Sequence, residues 1–395
     1  MTPALAPRRV LPAIVVAQFA GTSLWFAVNA VMPELQRSLG LAPDAVGSLT
    51  SAVQLGFIAG TLVFALAAIA DRHSPRGVFL LCSVAGAGCN AAAALWPAGS
   101  LDVATLWLLR AMTGFFLAGI YPVGMKIAAA WYPQGLGRAL GWLLGALVLG
   151  TASPHALRAL GTAWPWQDVM LGVSALALAG GLLLWSTVPD GGHLPRATTL
   201  QWRALGAVVH DARLRASVLG YFGHMWEIYT LWVLVPLILA SRLAGPALSV
   251  AAFAVIGAGA LGCVLGGLLA KRYGSARVAG LQLAASGLCC VLAPWAIGAP
   301  DGLFAAWLLV WGVTVAGDSP QFSALTATNA PREAVGSVLT LVNCVGFAIS
   351  IVSILLFVAL AQRWPLAWLL PALGIGPALG LWALRPLLAR PDSGA

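Results

Sequence analysis

Charge is what this sequence has least of. Only 8% of its 395 residues are Asp, Glu, Lys or Arg, against about 25% in soluble domains. A single water-exposed domain of this size needs a charged surface that these residues cannot supply. No Gly-rich stretch ending in Gly-Lys-Ser or Gly-Lys-Thr is present, so ATP is not the visible energy source. The six cysteines, Cys82, Cys89, Cys263, Cys289, Cys290 and Cys344, all fall in apolar runs, and none has metal-ligand spacing with a histidine. No disulfide framework, metal or other cofactor is therefore expected. The loops are short and their charges isolated, which argues against an enzyme, since a membrane enzyme needs several catalytic groups in one pocket. A receptor would call for a ligand-binding or signalling extension, and none is expected at either terminus.

What is abundant is apolar sequence. Hydrophobic residues make up 60% of the chain, and the mean hydropathy is +0.91. Apolar runs recur near 10–32, 46–70, 77–97, 103–125, 138–160, 169–188, 214–240, 248–270, 277–298, 302–325, 336–361 and 365–388. Each is long enough to cross a bilayer, for which about 20 residues suffice. The reading is an all-α membrane protein of twelve transmembrane helices. The first run is too long for the core of a signal peptide and has no convincing cleavage site.

The net charge of +9 does not indicate nucleic acid, because the basic residues are scattered through short loops. Arg8, Arg9, Arg72, Arg76, Arg138, Arg196, Arg203, Lys271, Arg272, Arg332 and Arg390 fall on the side of both termini, whereas the opposite loops hold Arg37, Arg158, Arg242 and Arg363. The positive-inside rule then puts both termini in the cytoplasm. The Arg- and Ala-rich composition points to a bacterial inner membrane, with a monomer expected.

The longest polar connection follows the sixth run. It divides the chain into residues 1–190, a cytoplasmic linker 191–213, and residues 214–395. The halves repeat each other. Gly114 and Gly312, Gly119 and Gly317, Pro122 and Pro320, and Pro133 and Pro331 each differ by 198 positions. ADRHSPR (70–76) likewise corresponds to AKRYGSAR (270–277). Transporter sites lie at such repeat interfaces.

Few polar residues fall at membrane depth, and an ionisable one there is by default a functional candidate. The sharpest stretch is GHMWEIYTLW, 223–232. His224 and Glu227 are three apart and share a helix face. A carboxyl that can load and unload a proton beside an imidazole is what proton coupling requires. Asp318, in Gly-Asp-Ser-Pro, is the other carboxylate candidate, and Gln321 after it can offer an amide to a solute. Arg110 lies about 12 Å deep at 1.5 Å per residue and would suit an anionic group. Trp25, Phe26, Asn29, Trp226 and Tyr229 would line a cavity for an apolar or aromatic body.

These residues and loops resemble the major facilitator superfamily over essentially the whole chain. The loops are similar to that family's G-x-L-x-D-R-x-G-R-R signature. Asp71, Arg72 and Arg76 fall on the first copy, and Gly267, Lys271, Arg272, Gly274 and Arg277 on the second. Ala67 and Ser74 replace glycines, and Lys271 stands where the acid would be. The resemblance implies two six-helix bundles, a central cavity, alternating access, and a gating role for these loops. Arg110 and Gly114 resemble the R-x-x-x-G of proton-coupled members. The antiporter pattern G-x-x-x-G-P-x-x-G is degraded around Gly141, Gly145, Gly150 and Pro154. In texture GHMWEIY and GDSPQFSA look like nitrate/nitrite porters, but the arginines that grip nitrate in spans two and eight are missing. The expectation is a proton-coupled carrier of a small organic molecule, with a drug-type efflux antiporter as the alternative.

Overall fold

The computed structural model describes residues 9–97, 99–132, 136–161, 164–190 and 200–389. Arg8, Pro133, Arg196, Arg390 and residues 191–199 of the expected linker lie outside the described residues. Every regular element among the described residues is helical. Among the described residues, twelve helices are long and apolar enough to cross a membrane. They are α1 (Val10–Leu39), α2 (Ala45–Leu66), α3 (Pro75–Leu95), α4 (Val103–Trp131), α5 (Ala139–Leu160) and α6 (Trp166–Thr187). The second set is α7 (Ala212–Leu239), α8 (Gly245–Tyr273), α9 (Ser275–Ala296), α10 (Asp301–Asn329), α11 (Val335–Ala361) and α12 (Leu366–Leu388). A short helix, Ala204–His210, precedes α7. Asp211 then caps α7, its Oδ1 accepting from the backbone N–H groups of Arg213 and Leu214 at 2.8 Å each. Such a cap satisfies donors that a helix start leaves open.

Helices α1–α6 pack together, as do α7–α12, and the two groups meet where α5 lies on α8 and α2 on α11. Lipid tails are as apolar as leucine, so close backbone approach does much of the work of packing inside each group. The 198-residue repeat marks where that approach occurs. A Cβ on Gly114 of α4 would lie 1.9 Å from the Val53 carbonyl oxygen of α2. A Cβ on its counterpart Gly312 of α10 would lie 2.1 Å from the Val255 carbonyl oxygen of α8. The glycines are therefore one packing solution used twice.

The repeat also breaks two helices at equivalent points. Helix α4 is interrupted between Leu117 and Tyr121, and α10 between Gly317 and Ser319. Pro122 and Pro320 follow these breaks in the first turn of the resumed helix, where a missing N–H costs least. The break in α1, at 23–26, has no counterpart in α7, which is continuous from Ala212 to Leu239.

Replacement of Gly114 or Gly312 by Ala should force the paired helices apart and cost about 1–3 kcal/mol, the usual range for overpacking. It should be read as a lower apparent melting temperature of detergent-purified protein. Gly88→Ala, whose Cβ would meet nothing within 4 Å, should melt like the parent. Equal melting of all three would refute the close-packing account.

Candidate functional site

A cavity of about 570 Å³ lies between the two groups of helices. Its walls come from α4 and α5 on one side and α7, α8, α10 and α11 on the other, with Lys271 at the exposed rim. The lining is mostly apolar or uncharged polar, including Tyr121, Tyr221, Ser319, Gln321 and Asn343. A smaller space of about 40 Å³ shares Tyr121, Leu144, Tyr221, Ser319 and Asn343 with it and adds His224, Tyr229, Trp232 and Phe347. That is room for a water molecule, for which about 10–15 Å³ suffices. The hydroxyl of Tyr221 donates to Asn343 Oδ1 at 2.7 Å, fixing two of the polar lining groups.

Beyond the small space the two groups close on aromatic rings. Trp25 stacks on Phe347 at 5.5 Å and on Tyr229 at 5.9 Å, and Phe57 meets Phe347 at 4.7 Å. Phe26 meets Trp232 edge-on at 6.0 Å. Trp25, Phe26 and Phe57 come from the first six helices, and Tyr229, Trp232 and Phe347 from the second. One polar link accompanies them, Ser350 Oγ donating to Gln54 Oε1 at 2.8 Å. The passage is therefore open at the end that carries Lys271 and sealed at the other.

His224 and Glu227 do share a helix, but each faces a different partner. His224 Nδ1 stands 2.8 Å from Asp318 Oδ1, with both side chains almost fully buried. Glu227 accepts from three donors inside the second group: Trp311 Nε1 at 2.6 Å, Ser286 Oγ at 3.0 Å and Cys290 Sγ at 3.3 Å. Helices α7 and α10 thus make two rungs, His224–Asp318 and Glu227–Trp311. The carboxylates expected to be alternatives occupy adjacent places in one polar seam. Trp311, Ser286 and Cys290 carry no signal in the sequence as partners of Glu227, because each looks like an ordinary membrane residue until α9 and α10 are folded against α7.

Arg110 is buried and turned away from the cavity. One guanidinium nitrogen donates to the carbonyls of Leu24 and Trp25 at 2.9 and 2.8 Å, and the other to Asn90 Oδ1 at 3.0 Å. Asn90 in turn donates to Met170 O and Ser174 Oγ of α6. Arg110 therefore satisfies the carbonyls freed by the break in α1 and ties α1, α3, α4 and α6 together. Asn29 donates to Thr50 Oγ1 at 2.9 Å, joining α1 to α2. Trp226 packs edge-on against Phe357 at 5.9 Å, outside the cavity lining. Trp25 and Phe26 belong to the seal, Tyr229 to seal and cavity both, and Gln321 to the cavity wall.

The loop residues lie around the open end. Asp71 pairs with Lys126, which also donates to the Ala70 carbonyl at 2.8 Å. Arg76 approaches Asp190 at 3.4 Å, while Arg72 and Arg277 are exposed. Gly267 lines the cavity, and the Arg272 guanidinium lies over the Tyr273 ring at 5.3 Å. Gly274 turns the chain from α8 to α9 at φ 83°, a conformation that glycine adopts without a Cβ clash.

The sequence matches the family model described as Major Facilitator Superfamily over residues 14–354. The chain belongs to that superfamily. The Escherichia coli (strain K12) inner membrane transport protein YnfM is 23% identical over 50% of this chain and 46% of that protein. A chloramphenicol resistance protein of Streptomyces lividans is 31% identical over 44% of this chain and 43% of its own length. The chain thus spans under half the length of these two relatives. Among solved structures, the xylose transporter XylE from E. coli superposes with a TM-score of 0.74 at 14% identity, covering 98% of this chain and 99% of that one. A bacterial homologue of the lysosomal transporter Spinster gives 0.73 at 15%, covering 98% of each. The family match establishes a transporter family, and the structural likenesses show its fold.

Arg110→Ala should leave two or three buried acceptors unpaired, at about 1–3 kcal/mol apiece. The expected result is a marked loss of thermal stability, with Arg110→Lys intermediate because an ammonium lacks the planar fork. Unchanged melting of Arg110→Ala would remove it from the scaffold.

Proposed function

We propose that this superfamily member is a proton-coupled secondary transporter of a small organic solute, working by alternating access in a bacterial inner membrane. The observation that carries the reading is the buried His224–Asp318 pair, whose His224 lines the small space next to a cavity between two six-helix bundles. Burying an ionisable pair at membrane depth is costly, and such residues are functional candidates by default. The unprotonated pair has a net charge of −1, and one bound proton makes it neutral. The small space beside His224 has room for a water molecule, which would offer that proton a route. Glu227 is a second carboxyl on the same helix, both of its oxygens accepting from neutral donors.

The basic loops at the open end support an inward-facing state with cytoplasmic termini. Residues 1–190 and 214–395 would move as two bundles, connected through 191–213, with the aromatic seal and the Gln54–Ser350 contact parting as the loop end closes. We take the transporting unit to be the monomer, since the cavity is built by one chain. Export is a second reading, supported by the named drug-resistance relative. Among the described residues no arginine lines the cavity, so the texture shared with nitrate/nitrite porters carries no proposal of nitrate as solute.

Two measurements test this. In liposomes with an internal pH dye, Asp318→Asn should lose proton movement coupled to solute by at least tenfold. Glu227→Gln should likewise lose accumulation. Full gradient-driven transport in both variants would defeat the coupling scheme. Second, Gln54→Cys with Ser350→Cys, in a background without the six native cysteines, should cross-link on oxidation and arrest transport, and reduction should restore it. Continued turnover of the cross-linked protein would defeat alternating access at that seal.

A further inference from the structure

We infer that the solute is an amphipathic aromatic cation, such as a protonated amine, and that Asp318 is the residue that binds its charge. This rests on the transport reading above and names the class of molecule carried.

A census of charge at membrane depth carries the inference. An anionic solute needs a cationic partner. Arg110 is spent on the carbonyls of Leu24 and Trp25 and on Asn90. Lys126 is paired with Asp71. Lys271 stands at the exposed rim, where solvent screens it. Behind His224, which lines the small space, the charge available is negative: Asp318 lines neither space itself but precedes Ser319, which lines both. Asp318 Oδ1 and His224 Nδ1 face each other at 2.8 Å, and among the described residues neither atom has a hydrogen-bond partner of good geometry. Proximity holds the pair, so a stronger cationic donor can take the imidazole's place.

The walls suit the same class. His224 lies between the cavity and Asp318, and Tyr221 is 5.9 Å from its ring. Tyr121, Tyr221, Tyr229, Trp232 and Phe347 surround the small space. Aromatic faces attract cations, more so when water is excluded. An aromatic body would be accommodated by the apolar wall of the 570 Å³ cavity below.

The balance of charge follows. The pair carries one proton and is neutral, or none and is −1. A solute cation arriving at Asp318 restores neutrality only if the proton leaves to water, so cation and proton compete for one place. The other titratable groups facing the pair are Glu227 and Tyr221 on α7, Cys263 on α8, and Tyr121 on α4 across the interface.

Tetraphenylphosphonium and tetraphenylborate, ions of the same shape and opposite charge, test this on the full-length protein in nanodiscs by equilibrium dialysis, with empty nanodiscs subtracted. Tetraphenylphosphonium should bind saturably, and its affinity should rise by up to about tenfold per pH unit where the pair titrates, as expected for competition with one proton. Asp318→Asn should weaken binding at least tenfold and flatten the pH dependence, whereas Asp318→Glu should keep both. Melting curves identify any misfolded variant, and the wild-type pH dependence stands independently of every variant. Saturable binding of tetraphenylborate, no saturable binding of tetraphenylphosphonium, or undiminished binding in a folded Asp318→Asn would each overturn the cation site. A pH dye separates this from the coupling scheme. Asp318-dependent cation binding without proton release upholds the site and refutes exchange. Proton uptake on binding tetraphenylborate upholds coupling and refutes the site.

Discussion

A bilayer offers no water to an ionised side chain or to a free carbonyl, and that constraint organises this protein. Every deeply buried charged group described above is matched to a polar partner, and the choice of partner decides what it can do. Arg110 is matched to backbone carbonyls that cannot move away without unwinding α1 further. That makes it a scaffold group. Glu227 is matched to three neutral donors on α9 and α10, which hold both of its oxygens in place. His224 and Asp318 are matched to each other beside a cavity, and theirs is the pairing that a solute or a proton can most readily disturb.

Much of this architecture was legible in the sequence because it rests on composition and period. Twelve apolar runs follow from residue type alone, and the 198-residue offset between Gly114 and Gly312 marks the same helix crossing in both bundles. Glycines recur there because a Cβ would collide with a facing carbonyl, a steric demand that leaves a trace in the chain. The break in α1 left no such trace. Its sequence, Ser23-Leu24-Trp25-Phe26, contains neither Gly nor Pro, and the group that stabilises the opened carbonyls arrives from α4. Arg110 could be flagged as unusual from its depth, but its direction depended on a helix break that the chain does not announce.

The same limit governed the polar seam. Spacing put His224 and Glu227 on one face, which the structure respects, but a shared face is wide enough for two neighbours to turn to different partners. His224 meets α10 at Asp318 and Glu227 meets it at Trp311, seven residues earlier, because the two helices run in opposite directions. A ladder of that kind is a property of two elements at once. Neither rung could be read from α7 alone.

The position of the rungs relative to the break in α10 carries a mechanical consequence. Trp311 lies in Asp301–Gly317, above the interruption, and Asp318 lies at the interruption itself. The lower piece, Ser319–Asn329, supplies Ser319, Pro320, Gln321, Phe322 and Thr326 to the cavity wall. The Asp318 carbonyl accepts from the N–H groups of Gln321 and Phe322 at 3.0 Å each, so Asp318 is tied to the piece that forms the cavity wall, while Trp311 belongs to the upper piece. On the proposed alternating-access scheme, a shift of that wall would therefore change the separation of His224 from Asp318 before that of Glu227 from Trp311.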